Sequence, residues 1–405
     1  MGYGRAPRRR LRREPGRIAV IAAAALLAGC STVTTGTPVA APPQAGPVDV
    51  ATLNVGNYPV VPSAPMGTAV TSAQGAIIEG QRLADYVTGP WEVDASLSGS
   101  PGIAGMVLKS AEALKLAVPE ALSAIAAKHN FVAGFFSGRE SATQSKLANL
   151  VLQFSDPDAA KAATGEFVDF AANDQLGQRV TMDGRPDTVG FSYGASDTAT
   201  PTQFRAFTAR GTYVLVQLAA TPAAAGPDAA RGLVAKTLDL QAPLIDTFTP
   251  TGPDKLAELP KDPTGLLART LPASREQASV NQRTVYQPRG ALHFQSDPVR
   301  VSSLFDQTGM TRQAVSATSV YETRDEQSAK KLADGLWELI SKEGKPEAPV
   351  SMLPDSRCIN LSKGQGDGYF YCLLTVDRYT IGAPATQLLD AQQKAAAQYA
   401  MLTAP

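Results

Sequence analysis

Three cysteines and two histidines in 405 residues leave little material for thiol or metal chemistry. The histidines, His129 and His293, are far apart, and no HExxH or EF-hand spacing accompanies them. No metal site and no cofactor are expected from such a set. Aromatic residues are scarce, at 6%. No apolar run reaches the roughly 20 residues that a membrane-spanning helix needs. An excess of charge is also missing, with 37 basic against 37 acidic residues. That balance conceals an uneven distribution. Removing residues 1–29 leaves 376 residues with 30 basic and 36 acidic side chains, a net charge near −6. A chain of that sign lacks the basic face that nucleic acid requires, so no nucleic-acid partner is expected. It also has no electrostatic reason to adhere to anionic lipid.

What is present begins with seven arginines in the first seventeen residues, followed by an apolar run from Ile18 to Ala28. A basic stretch, a short apolar stretch and small residues at its end read as an export signal over 1–29. The run closes on Leu27-Ala28-Gly29-Cys30, which resembles a bacterial lipobox. Cys30 is then the lipidation site and the first residue of the mature chain. Two or three acyl chains, at about 0.8 kcal/mol per buried methylene, hold a protein firmly on a bilayer. Residues 30–52 are rich in Ser, Thr, Pro and Ala without apolar period and read as a disordered tether. The other cysteines, Cys358 and Cys372, flank "RCINLSKGQGDGYFYC", a strand, Gly-rich turn and strand. In an exported chain a disulfide between them is the default. A redox or metal pair is the alternative, without CxxC spacing to support it.

The folded region divides into 53–250, a Pro-rich crossing over 251–290, and 291–405. Helical spacing predicts a helix over 72–88, stopped by Gly89-Pro90, and further helix in "GMVLKSAEALKLA" and "PEALSAIAAKH". "NLVLQF" alternates as a strand. A helix follows with Ser155 as its expected N-cap. "FRAFTARGTYVLVQLA" reads as a hairpin turning at Arg210-Gly211, and a helix closes the half. The second half repeats this order. "ATSVYE" is a strand, Thr323 to Glu326 a capping box for a helix, "YFYCLLTVDRYTIGA" a hairpin turning at Asp377-Arg378, and the last segment a helix. First strand to hairpin turn takes 60 residues in one half (150 to 210) and 57 in the other (320 to 377). The reading is α+β: two related units of strand, helix, hairpin and helix with antiparallel sheets, preceded by extra N-terminal helices.

"GFSYG", residues 190–194, matches G-x-S-x-G and offers Ser192 as a nucleophile. A nucleophile elbow needs a buried strand before it and a helix after it. "GRPDTV" and "ASDTATPTQ" supply neither, and the base would have to be His293. A strand or turn with small residues is the better reading. "GQGDG", 364–368, lacks the Lys-Ser/Thr of a phosphate loop and reads as a hairpin turn. His129 suits a helix C-terminus, and His293 a satisfied strand position. Trp91, in "VTGPWEVD", either anchors a partner or plugs the edge of the core.

"NVGNYPVVP", "EGQRLADYVTGPWEVD", "GRPDTVGFSYG" and "RGALHFQSDPVRVSSLFDQTG" resemble an actinobacterial family of predicted lipoproteins, mycobacterial and nocardial, carried as a domain of unknown function. The resemblance covers most of the mature chain and brings no catalytic residue with it. More weakly, the strand, helix and hairpin units resemble extracytoplasmic sensor-type domains of mycobacterial envelope proteins.

Together these readings point to a non-enzymatic lipoprotein on the outer face of the plasma membrane. Its partners would be the membrane, through Cys30, and an envelope protein or small ligand in the cleft between halves. A carrier of an apolar envelope molecule, using a space between helix and sheet, is the alternative. A serine hydrolase on Ser192 is the third.

Overall fold

The computed structural model describes residues 48–173, 177–194, 200–274, 279–362 and 368–404. The signal segment, Cys30 and most of the tether lie outside the described residues. Val48–Thr52, which composition assigns to the tether, already form part of the fold. Val50–Thr52 make a 3-10 turn capped by Asp49, and half-buried Val48 packs on the C-terminal core.

Two opening helices, α1 (Ser72–Leu83) and α2 (Pro90–Val93), precede the first repeat. The repeat runs β1 (Gly105–Leu108), α3 (Glu120–Lys128), β2 (Phe131–Glu140), β3 (Lys146–Phe154), α4 (Pro157–Ala172), β4 (Gln178–Thr181), β5 (Thr188–Tyr193), β6 (Thr202–Arg210), β7 (Tyr213–Thr221) and α5 (Ala229–Ile245). The second runs β8 (Thr284–Tyr286), α6 (Pro288–Leu292), α7 (Pro298–Thr308), β9 (Arg312–Val315), β10 (Ser319–Glu322), α8 (Glu326–Ile340), β11 (Lys345–Glu347), β12 (Arg357–Asn360), β13 (Phe370–Val376), β14 (Tyr379–Ala385) and α9 (Leu388–Thr403). The sheet orders are β1-β2-β3-β7-β6-β5-β4 and β8-β9-β10-β14-β13-β12-β11. All pairings are antiparallel. The two seven-stranded sheets are therefore wired identically, and the α+β duplication is real.

Alternation along the central strands explains the layering. In β7, Val214 and Val216 face α4 and its Phe167, whereas Leu215 and Ala219 face α5 and its Val234 and Leu238. In β14 the same alternation sends Thr380 to α8, where its hydroxyl donates to the Ala329 carbonyl at 2.9 Å. Ile381 and Ala383 go to the Ala391, Ala395 and Ala396 stripe of α9. Each sheet is thus sandwiched between two helices.

Several local expectations need correction. Asp156 caps α4, accepting from Ala159 N, one residue beyond the expected Ser155. Asp325 caps α8 in the same way, accepting from Ser328 N, in place of the Thr323 box. A carboxylate reaches the free amides at least as well as a hydroxyl and also suits the helix dipole. "GMVLKSAEALKLA" is not a helix. Gly105–Leu108 is a strand buried at every position, a pattern whose period cannot separate strand from helix. Ala111–Leu116 is a 3-10 turn. The first helix ends at Leu83 and tightens to 3-10 over Ala84–Tyr86.

The two repeats share a core. One hydrophobic cluster contains Leu215 and Val234 of the first repeat together with Tyr286, Phe305, Tyr321 and Leu373 of the second. Trp91, 6% exposed, sits in that cluster and plugs the core. Polar groups seal the same seam. Arg139, on β2, is 1% exposed and donates to the carbonyls of Ser98 at 3.1 Å, His293 at 2.9 Å and Gln295 at 2.9 Å. The Asn281 side chain pairs with the edge of β1, accepting from Val107 N at 2.9 Å.

Candidate functional site

A recess of about 600 Å³ lies at the margin of this seam. Arg82, Asp85 and Tyr86 reach it from the end of α1 and the turn after it. Lys261 and Thr264 come from the crossing segment, and Thr284 and Arg312 from β8 and β9. Three cations and one acid line it. Arg82 is already engaged: Nη1 donates to Glu79 Oε2 at 2.5 Å and to Thr251 Oγ1 at 2.8 Å. Arg312 leans on Glu322 at 3.4 Å.

Asp85 is the unusual member. Its Oδ1 accepts from Gly290 N at 2.8 Å, at the start of α6. Burial pushes its carboxyl up to about 7, and the amides of Gly290 and Gln287 and the charge of Arg289 only partly oppose this. A side chain at position 290 would put a Cβ 2.5 Å from that oxygen, so the approach requires glycine. Asp85 therefore fastens the second repeat to the first while facing a polar cleft.

A second space, about 550 Å³, lies inside the second repeat between α8 and its sheet. Tyr321, Tyr369, Tyr371 and Phe294 form its aromatic walls, and Leu336, Leu339 and Ile340 its helical wall. No motif in the sequence singles out Tyr369 and Tyr371. Their signal was the alternation in "GYFYC", which sends both tyrosines to the face opposite Phe370 and Cys372.

The residues singled out from sequence are dispersed. Ser192 lies half-buried within β5, between Gln178 and Phe204 of the neighbouring strands. Gly190 is small because a Cβ there would meet the Phe204 ring at 2.5 Å, which accounts for the first glycine of G-x-S-x-G without catalysis. His293 is buried and satisfied, as expected, but is not itself on a strand. It follows α6 as its C-cap and is fully buried. Its Nδ1 lies 2.8 Å from Ser137 Oγ and its Nε2 3.0 Å from the Ala84 carbonyl. A carbonyl only accepts, so Nε2 carries the proton and Ser137 donates to Nδ1. Burial pushes the imidazole down to about 3. Ser137 is equally inaccessible, so this serine-histidine contact has no path to a substrate. His129 caps α3, with Nε2 2.9 Å from Glu166.

Cys358 and Cys372 form a disulfide. They are direct cross-strand partners on β12 and β13, with Cα atoms 4.1 Å apart. Cys30 and most of the 364–368 turn lie outside the described residues. Among the described residues no group of three or more His, Cys, Asp or Glu is placed to hold a metal ion. Among them, too, no helix is long and apolar enough to cross a membrane.

Fold and recesses define a class: a fused pair of helix-covered antiparallel sheets with small-molecule-sized spaces at and beside the seam. The chain belongs to the DUF7373 family, a domain of unknown function, with the N-terminal domain matching residues 66–261 and the C-terminal domain 266–404. No curated protein matches it. Among solved structures it has a likeness to the extracellular domain of PknH from Mycobacterium tuberculosis, at 17% identity and a TM-score of 0.26. That likeness covers 38% of this chain and 91% of the other. The superposition is too poor to carry an argument about function.

Proposed function

We propose that the protein is a non-enzymatic binding module of the cell envelope, held at the outer face of the plasma membrane by acyl chains on Cys30. In this reading it is an actinobacterial lipoprotein. The observation that carries the binding role is the seam itself. Two repeats fused through one core leave a recess of about 600 Å³, within the range of ligand pockets and at the kind of junction where they concentrate. The disulfide agrees with an oxidising compartment.

The carrier reading gains from the second space, since it lies between a helix and a sheet and has apolar walls. A hydrolase centred on Ser192 gains nothing, because the histidine it would need is spent on Ser137 and Ala84.

Fractionation tests the placement. Wild type is expected in the membrane fraction and open to protease added to intact spheroplasts, and Cys30→Ala is expected to leave the membrane. Wild type confined to cytosol and shielded from protease would contradict the proposal.

A further inference from the structure

The identical wiring of the repeats lets their surfaces be compared position by position. Anchoring the register on the hairpin turns pairs Tyr213 with Tyr379, and the cross-strand partners Phe207–Val216 with Leu373–Gly382. On that register, Arg205 of β6 corresponds to Tyr371 of β13, and Leu218 of β7 to Pro384 of β14. Gln203 corresponds to Tyr369. All three pairs line a recess. The first-repeat members line one of about 420 Å³, and the second-repeat members line the chamber of about 550 Å³. The duplication therefore copied a niche on the α4 and α8 side of each sheet, and the copies have since diverged in chemistry.

The first copy is cationic: Lys146 and Arg205 reach its lining. The second has no Lys or Arg among its described lining residues and one acid, Glu343. Its floor has also been rebuilt. Tyr371 lies along the sheet with its hydroxyl over Gly382, where a Cβ would stand 1.8 Å away. The first repeat has Val216 at the matching place, which would deny the ring that position. Burial holds the Tyr321 and Tyr371 hydroxyls well above their ordinary value, so both stay neutral donors. Tyr369, 47% exposed, forms an aromatic lip. Uncharged hydrogen-bonding groups, Gln295, Gln313 and Ser319, stand among the apolar walls.

We infer that this chamber binds an uncharged amphiphile, with its chain along Leu336, Ile340 and Tyr321 and its neutral polar head among the glutamines. A charged head of either sign would give up its hydration in a space whose described lining, Glu343 apart, is apolar or uncharged. The assignment deepens the binding-module reading and rests on it, but its test does not involve the membrane anchor, so the two fail separately.

The probe is 1-monodecanoylglycerol, titrated calorimetrically below its critical micelle concentration. The protein is the full chain carrying Cys30→Ala, so that no acyl group of its own competes. Decanoate and decyltrimethylammonium serve as charged counterparts of matched chain length. The glyceride should bind one per chain, and each charged probe about tenfold more weakly. Tyr369→Ala, at a site 47% exposed, and Ser319→Phe, which fills the chamber, should each weaken glyceride binding about tenfold. Absence of glyceride binding, equal affinity for a charged probe, or unchanged affinity in Tyr369→Ala would overturn the assignment.

Discussion

His293 and Ser137 meet at 2.8 Å across the seam of the two repeats, both sealed from solvent. The imidazole is held neutral there, and that has a consequence for acid stability. In the unfolded chain it takes up a proton near 6.5, while in the fold it stays neutral down to about 3. Its contribution is complete above pH 6.5 and is lost as pH falls from there toward 3, by about 2 kcal/mol at pH 5.

Asp85, one residue beyond the carbonyl that His293 holds, acts with the opposite sign. Its carboxyl is raised from 3.8 to about 7 in the fold. Its contribution is present below 3.8 and lost as pH rises toward 7. Between pH 4 and 6.5 the two groups oppose each other. Asp85→Asn keeps an acceptor for Gly290 N and removes one side of the balance. Urea unfolding of this variant should show stability falling on acidification from pH 6.5 to 4 more steeply than in wild type. Equal slopes would contradict this account of the two groups.

Arg139 ties the same seam from the other side. Its guanidinium spans carbonyls of Ser98, His293 and Gln295, a fork that an ammonium cannot reproduce. Arg139→Lys should lower unfolding free energy by about 3 kcal/mol. Because the core is continuous across the repeats, calorimetry should still show one transition. Two resolved transitions would count against a shared core.

The Cys358–Cys372 bridge closes a sequence separation of 14. Replacing both cysteines by alanine should cost about 3 kcal/mol, chiefly by freeing the unfolded chain. Both positions are buried, so the alanines fit with little repacking. Chemical denaturation with and without reductant would measure the effect. Insensitivity of the wild type to reductant under unfolding conditions would contradict it.

Much of the duplication was legible because its signals are local. Alternation in "NLVLQF" and "SVYE", the helices that follow them and the hairpin turn at Asp377-Arg378 need no tertiary context. The caps, by contrast, fall one and two residues beyond the expected Ser155 and Thr323. The first hairpin turns at Gly211-Thr212, one residue beyond the expected Arg210-Gly211. The edge strands were not legible. β4 is largely exposed at Gln178, Arg179 and Thr181 and carries little apolar alternation, and β11 contains Pro346. Both are strands because a neighbour supplies the hydrogen bonds. β1, buried on both faces, failed for the opposite reason: a run of four apolar or small residues has no period to read. The sites were harder still. Asp85 gains its character from Gly290 in the other repeat, and the aromatic chamber from a glycine at 382 that makes room for Tyr371. Such pairings join residues remote in sequence, and no short motif marks them.

The intact mass of protein taken from its native membrane without reductant tests the central claim most directly. The account predicts a chain beginning at Cys30, carrying a diacylglycerol thioether there, with Cys358 and Cys372 joined and no thiol left to alkylate. A chain that retains residues 1–29 and alkylates at all three cysteines would contradict it.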